Sequence, residues 1–139
     1  MALDKKLADF EQALHRLIES FDQTLSHKDD ETYSFYRDST IQRFEFTLEI
    51  AWKSIKQFLL EYEGVECRSP KGCIRELFSA GHLDENSAAM LLQMVDDRNL
   101  TTHTYHESLA DEIFAHIQTY IDILNAVYRT IQHQSGLSP

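Results

Sequence analysis

The chain of 139 residues carries 23 Asp and Glu against 13 Lys and Arg, a net charge of −10. That balance excludes a surface that coats nucleic acid along its length, because phosphate binding rests on Lys and Arg. Four glycines and two prolines are too few for a loop-rich β-protein, and 42% hydrophobic residues suit one helical domain spanning residues 1–139.

No apolar run approaches the roughly 20 residues of a membrane-spanning helix, and "MALDKKLADF" lacks the apolar core of a signal peptide. The expected location is therefore the cytoplasm. Cys67 and Cys73, the only cysteines, flank a turn, and without an export signal they are expected as two reduced thiols. From Arg43 to Arg75 six basic residues face five acidic ones, so this stretch is +1 while the remainder carries −11. Any polyanion must be met locally, and weakly unless oligomerisation doubles the site.

Leu3, Leu7, Phe10, Leu14, Leu17 and Phe21 recur at spacings of four and three, one stripe on a first helix that runs to about Leu25. "SHKDDET" breaks it. Ile41, Phe44, Leu48, Trp52, Ile55, Leu59 and Tyr62 mark a long second helix ending at Gly64, with Ser39 and Gln42 placed as a capping box at its start. "YSFYRD" ahead of it reads either as a separate short helix or as an extension. Ser69-Pro70 opens a third, short helix that ends near Gly81. Asp84 or Asn86 starts a fourth, with Met90, Leu91, Met94 and Val95 inward. A last helix carries Leu109, Ile113, Ile117, Tyr120, Leu124, Val127 and Ile131, and residues 133–139 read as a flexible tail. The expected fold is all-α, an antiparallel up-and-down bundle of four to five helices.

One junction stands apart. In "DDRNLTTHTYHES" Arg98 and His103 are five residues apart and would face different ways on a continuous helix. Thr101 and Thr102 are poor helix formers, and Thr104 with Glu107 fits a T-x-x-E capping box for the next helix. Arg98 would then close helix four, His103 would precede the N-cap of helix five, and Tyr105 would occupy its first turn. A helix N-terminus disfavours a charged imidazole and favours anions, so His103 would be held neutral and fit to act as a base. Arg98 offers a planar fork for phosphate. Together they form a minimal kit for cleaving RNA with its own 2′-hydroxyl as nucleophile. The plainer account also stands: Arg98 pairs with nearby carboxylates, His103 caps a helix and Tyr105 packs in the core. His103 and His106 lack a third ligand, so neither a metal nor another cofactor is expected. His15, His27, His82, His116 and His133 are scattered singly and read as structural or exposed.

"IQRFEFTLEIAWKSIKQFL", "SPKGCIRELFSAGHLDE" and "MVDDRNLTTHTYHE" resemble the HEPN-domain proteins also called nucleotidyltransferase substrate-binding proteins. The signature is arginine, a polar residue, three positions, histidine, any residue, tyrosine, here from Arg98 through Tyr105. The resemblance implies a HEPN-like bundle and a metal-independent endoribonuclease that acts as the toxin of a toxin–antitoxin pair, with tRNA as one expected RNA target. Arg98 and His103 would be the catalytic pair and Asn99 a supporting neighbour. The partner would be a minimal nucleotidyltransferase (MNT) antitoxin that transfers AMP to Tyr105. His106 stands where relatives commonly carry an aspartate. The family also contains members described only as binding subunits, so the alternative is a non-catalytic docking subunit of a two-component nucleotidyltransferase. Because 2′-hydroxyl chemistry works best with one general base and one general acid, a homodimer with both junctions facing one cleft is expected.

Overall fold

The structure is a computed structural model that describes residues 2–136. Its described residues form six α-helices: α1 (Ala2–Ser26), α2 (Tyr33–Phe58), α3 (Pro70–Ser79), α4 (Glu85–Asn99), α5 (Glu107–Phe114) and α6 (Ile117–Gln134). The all-α bundle expected from the apolar periods is what forms, with one helix more. None of these helices is long and apolar enough to cross a membrane.

The α1 stripe from Leu3 to Phe21 is buried as the periodicity requires. It packs along α2 and against α6. Each such Leu or Phe contributes roughly 1.5–3 kcal/mol on burial, which outweighs the few tenths that separate helix propensities. A second feature draws α1 onto α2. Thr40, Thr47 and Ser54 recur every seven residues of α2 and are fully buried. Their hydroxyls bond within α2 or across to α1: Thr40 meets the Thr24 hydroxyl at 2.9 Å, and Thr47 donates to the Arg43 carbonyl at 2.7 Å. Small side chains with satisfied hydroxyls let the two backbones approach without an unpaired polar group.

α2 begins at Tyr33, so "YSFYRD" is an extension of it. Ser39 and Gln42 lie inside the helix and cap nothing; Thr32 holds the N-cap position, its backbone N–H bonded to Asp30 at 2.8 Å. The reason is tertiary. Arg37, only 1% exposed, donates to Asp38 beside it and reaches Glu107 at 2.7 Å and Asp111 at 2.9 Å on α5. Tyr33 donates to the same Asp111 at 3.0 Å. Burial works against the Arg37 charge, but these carboxylates outweigh it and raise its pKa.

The far end of α2 widens into a π-turn (Leu59–Glu63) closed by Gly64 at φ +66°, a conformation that favours glycine. Ser69 caps α3 as expected, accepting from the Gly72 N–H at 3.0 Å. Cys67 and Cys73, expected as thiols, are joined in a disulfide. The Ser69-Pro70 turn brings their Cα atoms to 5.2 Å, within bonding reach, and both side chains are buried in the core.

The expected last helix is two. Its apolar stripe continues in register through the break between α5 and α6, which is why spacing alone does not reveal it. The stripe serves two cores: Ile113 and Ala110 pack with Ile41 in a small cluster, while Ile117, Tyr120, Leu124, Val127 and Ile131 join the main one. α6 extends through His133 to Gln134; of the expected tail, residues 137–139 lie outside the described residues.

Candidate functional site

The junction after α4 is a polar turn that satisfies itself. α4 ends at Asn99, and a 3-10 turn (Thr101–His103) follows. Thr101 donates its hydroxyl to the Arg98 carbonyl at 2.7 Å, and Thr104 donates to the Thr101 carbonyl at 2.8 Å. These bonds quench carbonyls that a helix end leaves open. They also prevent the expected capping box. Thr104 is turned back towards Thr101, His106 takes the N-cap position of α5 without a side-chain bond, and Glu107 reaches across to Arg37. Tyr105 therefore lies in the turn ahead of α5, not in its first turn, and His103 stands three residues before the cap.

Three successive side chains at the end of α4 tie it to three other helices. Asp96 pairs with Lys71 of α3 at 2.6 Å. Asp97, buried, accepts from the Tyr120 hydroxyl of α6 at 2.5 Å and meets His116 Nδ1 at 2.9 Å. Gln93 donates to the Tyr120 oxygen at 2.9 Å and completes that network. Burial, then the Asp97 hydrogen bond, raises the Tyr120 pKa and keeps it a proton donor. Arg98 turns the other way, its Nη2 on Glu49 Oε2 of α2 at 2.7 Å. The same Glu49 oxygen accepts from Trp52 Nε1 at 3.2 Å, and its other oxygen meets Lys53 Nζ at 3.1 Å. Burial pushes the Glu49 carboxyl up, but the bonds from Trp52 and Lys53 and the Arg98 charge outweigh it and hold its pKa below the usual value.

The remaining site residues face solvent. Asn99 and His103 are exposed, and Tyr105 is 73% exposed, which removes the alternative of a core tyrosine. The His103 and Tyr105 rings meet edge-on with centroids 6.2 Å apart, and Tyr105 also leans on His106 at 4.4 Å. His103 and Tyr105 are thus side by side. No hydrogen bond joins Arg98 to His103 among the described residues, and Arg98 is partnered by Glu49. With its side chain 33% exposed, Arg98 keeps further N–H groups of its fork for an incoming anion. Among the described residues no three His, Cys, Asp or Glu side chains gather at metal-binding spacing.

Sequence reasoning missed Glu49 and the Asp97–His116–Tyr120 network. Glu49, Trp52 and Lys53 sit at helix spacings of three and four, a pattern that marks mutual contact. Nothing in that pattern links Glu49 to an arginine on another helix.

The chain matches, over residues 5–133, the family model described as nucleotidyltransferase substrate binding protein like. No curated protein matches it. Among solved structures, a Thermus thermophilus protein is 40% identical and superposes with a TM-score of 0.80, covering 88% of this chain and 98% of its own. A tri-AMPylated Shewanella oneidensis HEPN toxin, solved in complex with an MNT antitoxin, shares the fold at 17% identity and a TM-score of 0.71, over 94% of this chain and 96% of its own. A Haemophilus influenzae protein, reported to reveal the fold of a substrate binding domain of a nucleotidyltransferase, superposes at 21% identity and 0.64, covering 94% and 97%. By its match from residue 5 to 133, this HEPN-like helical bundle belongs to the nucleotidyltransferase substrate-binding-protein-like family.

Proposed function

We propose that the chain is the toxin of a HEPN/MNT pair, a metal-independent endoribonuclease that its nucleotidyltransferase partner silences by AMPylation of Tyr105. The observation that carries this reading is the exposed Tyr105 beside the exposed His103, in the turn directly after the helix end that bears Arg98. A tyrosine with 73% of its surface in water contributes little to packing, and its hydroxyl is open to a modifying enzyme.

In cleavage, the RNA 2′-hydroxyl attacks the adjacent phosphorus and the 5′-oxygen of the next nucleotide leaves, giving a 2′,3′-cyclic phosphate. His103 moves a proton at one of these oxygens, Arg98 stabilises charge on the phosphorane, and Asn99 supports the substrate beside it. A homodimer would bring a second His103, so that one imidazole acts as base and the other as acid; it would also double the sparse positive charge. In modification, the Tyr105 oxygen attacks the α-phosphorus of ATP and pyrophosphate leaves. The AMP phosphate then adds bulk and negative charge where Arg98 must meet RNA.

A second reading is favoured by the Arg98–Glu49 pair, in which the arginine already has a partner. The chain would then be a docking subunit that presents substrate to the nucleotidyltransferase without chemistry of its own. The two separate in one experiment: the purified protein is incubated with RNA in EDTA, before and after treatment with ATP and a cognate nucleotidyltransferase. Cyclic-phosphate products that vanish once Tyr105 is labelled, by peptide mass spectrometry, support the toxin. Intact RNA throughout supports the docking subunit, and cleavage that survives stoichiometric labelling of Tyr105 sinks the silencing mechanism.

A further inference from the structure

We propose that Glu49 is a positioning residue for Arg98, fixing the guanidinium so that its free edge meets the scissile phosphate. This inference rests on the ribonuclease reading above. Glu49 is prepared for the role by its own helix. Trp52 and Lys53, three and four residues on, hold both carboxylate oxygens at 3.2 and 3.1 Å. The acceptor that meets Arg98 Nη2 at 2.7 Å is therefore oriented from within α2, chiefly by the Trp52 indole on the same oxygen. Trp52 is in turn packed against the main core, which anchors the arrangement to the rigid part of the bundle.

A pair whose side chains are 33% and 32% exposed adds little to stability. A carboxylate held at both oxygens is more than a weak surface contact needs. What it supplies is direction. A solvated arginine samples many rotamers, and binding a phosphate would require ordering it each time. With Nη2 engaged by Glu49, the guanidinium plane is set by α2, while the edge that Glu49 does not occupy keeps its N–H donors for phosphate oxygens. Asp97, adjacent in sequence, fixes the end of α4 to α6 through Tyr120 and His116. The backbone below Arg98 and the head group above it are thus held from opposite sides. Misplacing a catalytic group by about 1 Å costs up to about a hundredfold in rate, and that is the scale on which Glu49 acts.

The test compares wild type, Glu49→Ala and Glu49→Gln on a short single-stranded RNA, with NMR of the Arg98 side-chain N–H groups as an independent readout. Glu49→Ala is expected to lower kcat about tenfold to a hundredfold with KM little changed, and to speed exchange and rotation of the Arg98 guanidinium. Glu49→Gln, which keeps an acceptor oxygen, should recover part of both. Wild-type kcat in Glu49→Ala, or a loss confined to KM, would overturn the proposal while leaving the ribonuclease reading intact. If the wild type cuts no RNA, the ribonuclease reading fails and the positioning role that rests on it is overturned with it. Where the wild type does cut, an Arg98 guanidinium equally mobile in wild type and Glu49→Ala overturns the positioning role, and one that is restrained only while Glu49 is present supports it.

Discussion

Arg37 and Arg98 are both arginines held by carboxylates from another helix, yet they occupy opposite environments. Arg37 is 1% exposed and bound by Asp38, Glu107 and Asp111, with Tyr33 at its side. Arg98 is 33% exposed and has Glu49 as its carboxylate partner. The first arginine is consumed by the fold: its donors are engaged, and it locks α2 to α5. The second keeps donors facing solvent at the end of α4, ahead of the turn that carries His103 and Tyr105. The difference teaches that a paired arginine can still receive an anion only when the pairing leaves part of the fork open.

The sharpest way to break the comparison is to remove each arginine in turn. Arg98→Ala and His103→Ala should each reduce RNA cleavage by roughly a thousandfold, the range of a lost oxyanion-type donor combined with lost proton transfer. Their unfolding midpoints in urea should move little, since Arg98 gives up a half-exposed pair worth at most about 1 kcal/mol. Activity that persists in either variant would place the chemistry elsewhere.

Arg37→Ala should do the reverse. Deleting the buried partner of exposed carboxylates is expected to cost about 3 kcal/mol, at the lower end for a broken buried pair because Glu107 and Asp111 can be rehydrated. Urea unfolding measures it. At temperatures where the variant remains folded, cleavage should stay within a few-fold of wild type, and a loss matching that of Arg98→Ala would erase the distinction between the two arginines.

The smallest effect sharpens the Arg98 side. The folded pKa of Glu49 is depressed, so its contribution to stability is complete above the unfolded value of about 4.3 and is lost as pH falls through the lower folded value. Glu49→Gln should therefore flatten the acid side of the stability–pH curve below about pH 4.3 by less than about 1 kcal/mol. An unchanged acid limb would show that Glu49 has no net interaction with its neighbours.

By itself the sequence determined the helices whose apolar residues repeat, because burying a stripe dominates every weaker local preference. α1, the body of α2, the Ser69 cap and the end of α4 just after Arg98 follow from residues only a few positions apart, and the structure selects Asp84 over Asn86 as the α4 cap. The motif from Arg98 to Tyr105 was equally legible, since its signal lies in one short stretch. What only the tertiary structure decided depends on groups far apart in the chain. The early start of α2 needs Arg37 to find Glu107 and Asp111, and those same bonds, with Thr104 turned back on Thr101, dissolve the expected capping box and leave Tyr105 ahead of α5. The break between α5 and α6 sits inside an unbroken apolar period and brings His116 to Asp97. The disulfide needs the Ser69-Pro70 turn to bring Cys67 to Cys73, and Glu49 meets Arg98 only because α2 packs beside α4. Periodicity reports which face of a helix is buried; which polar partner waits across the interface is fixed by packing, and no local pattern encodes it.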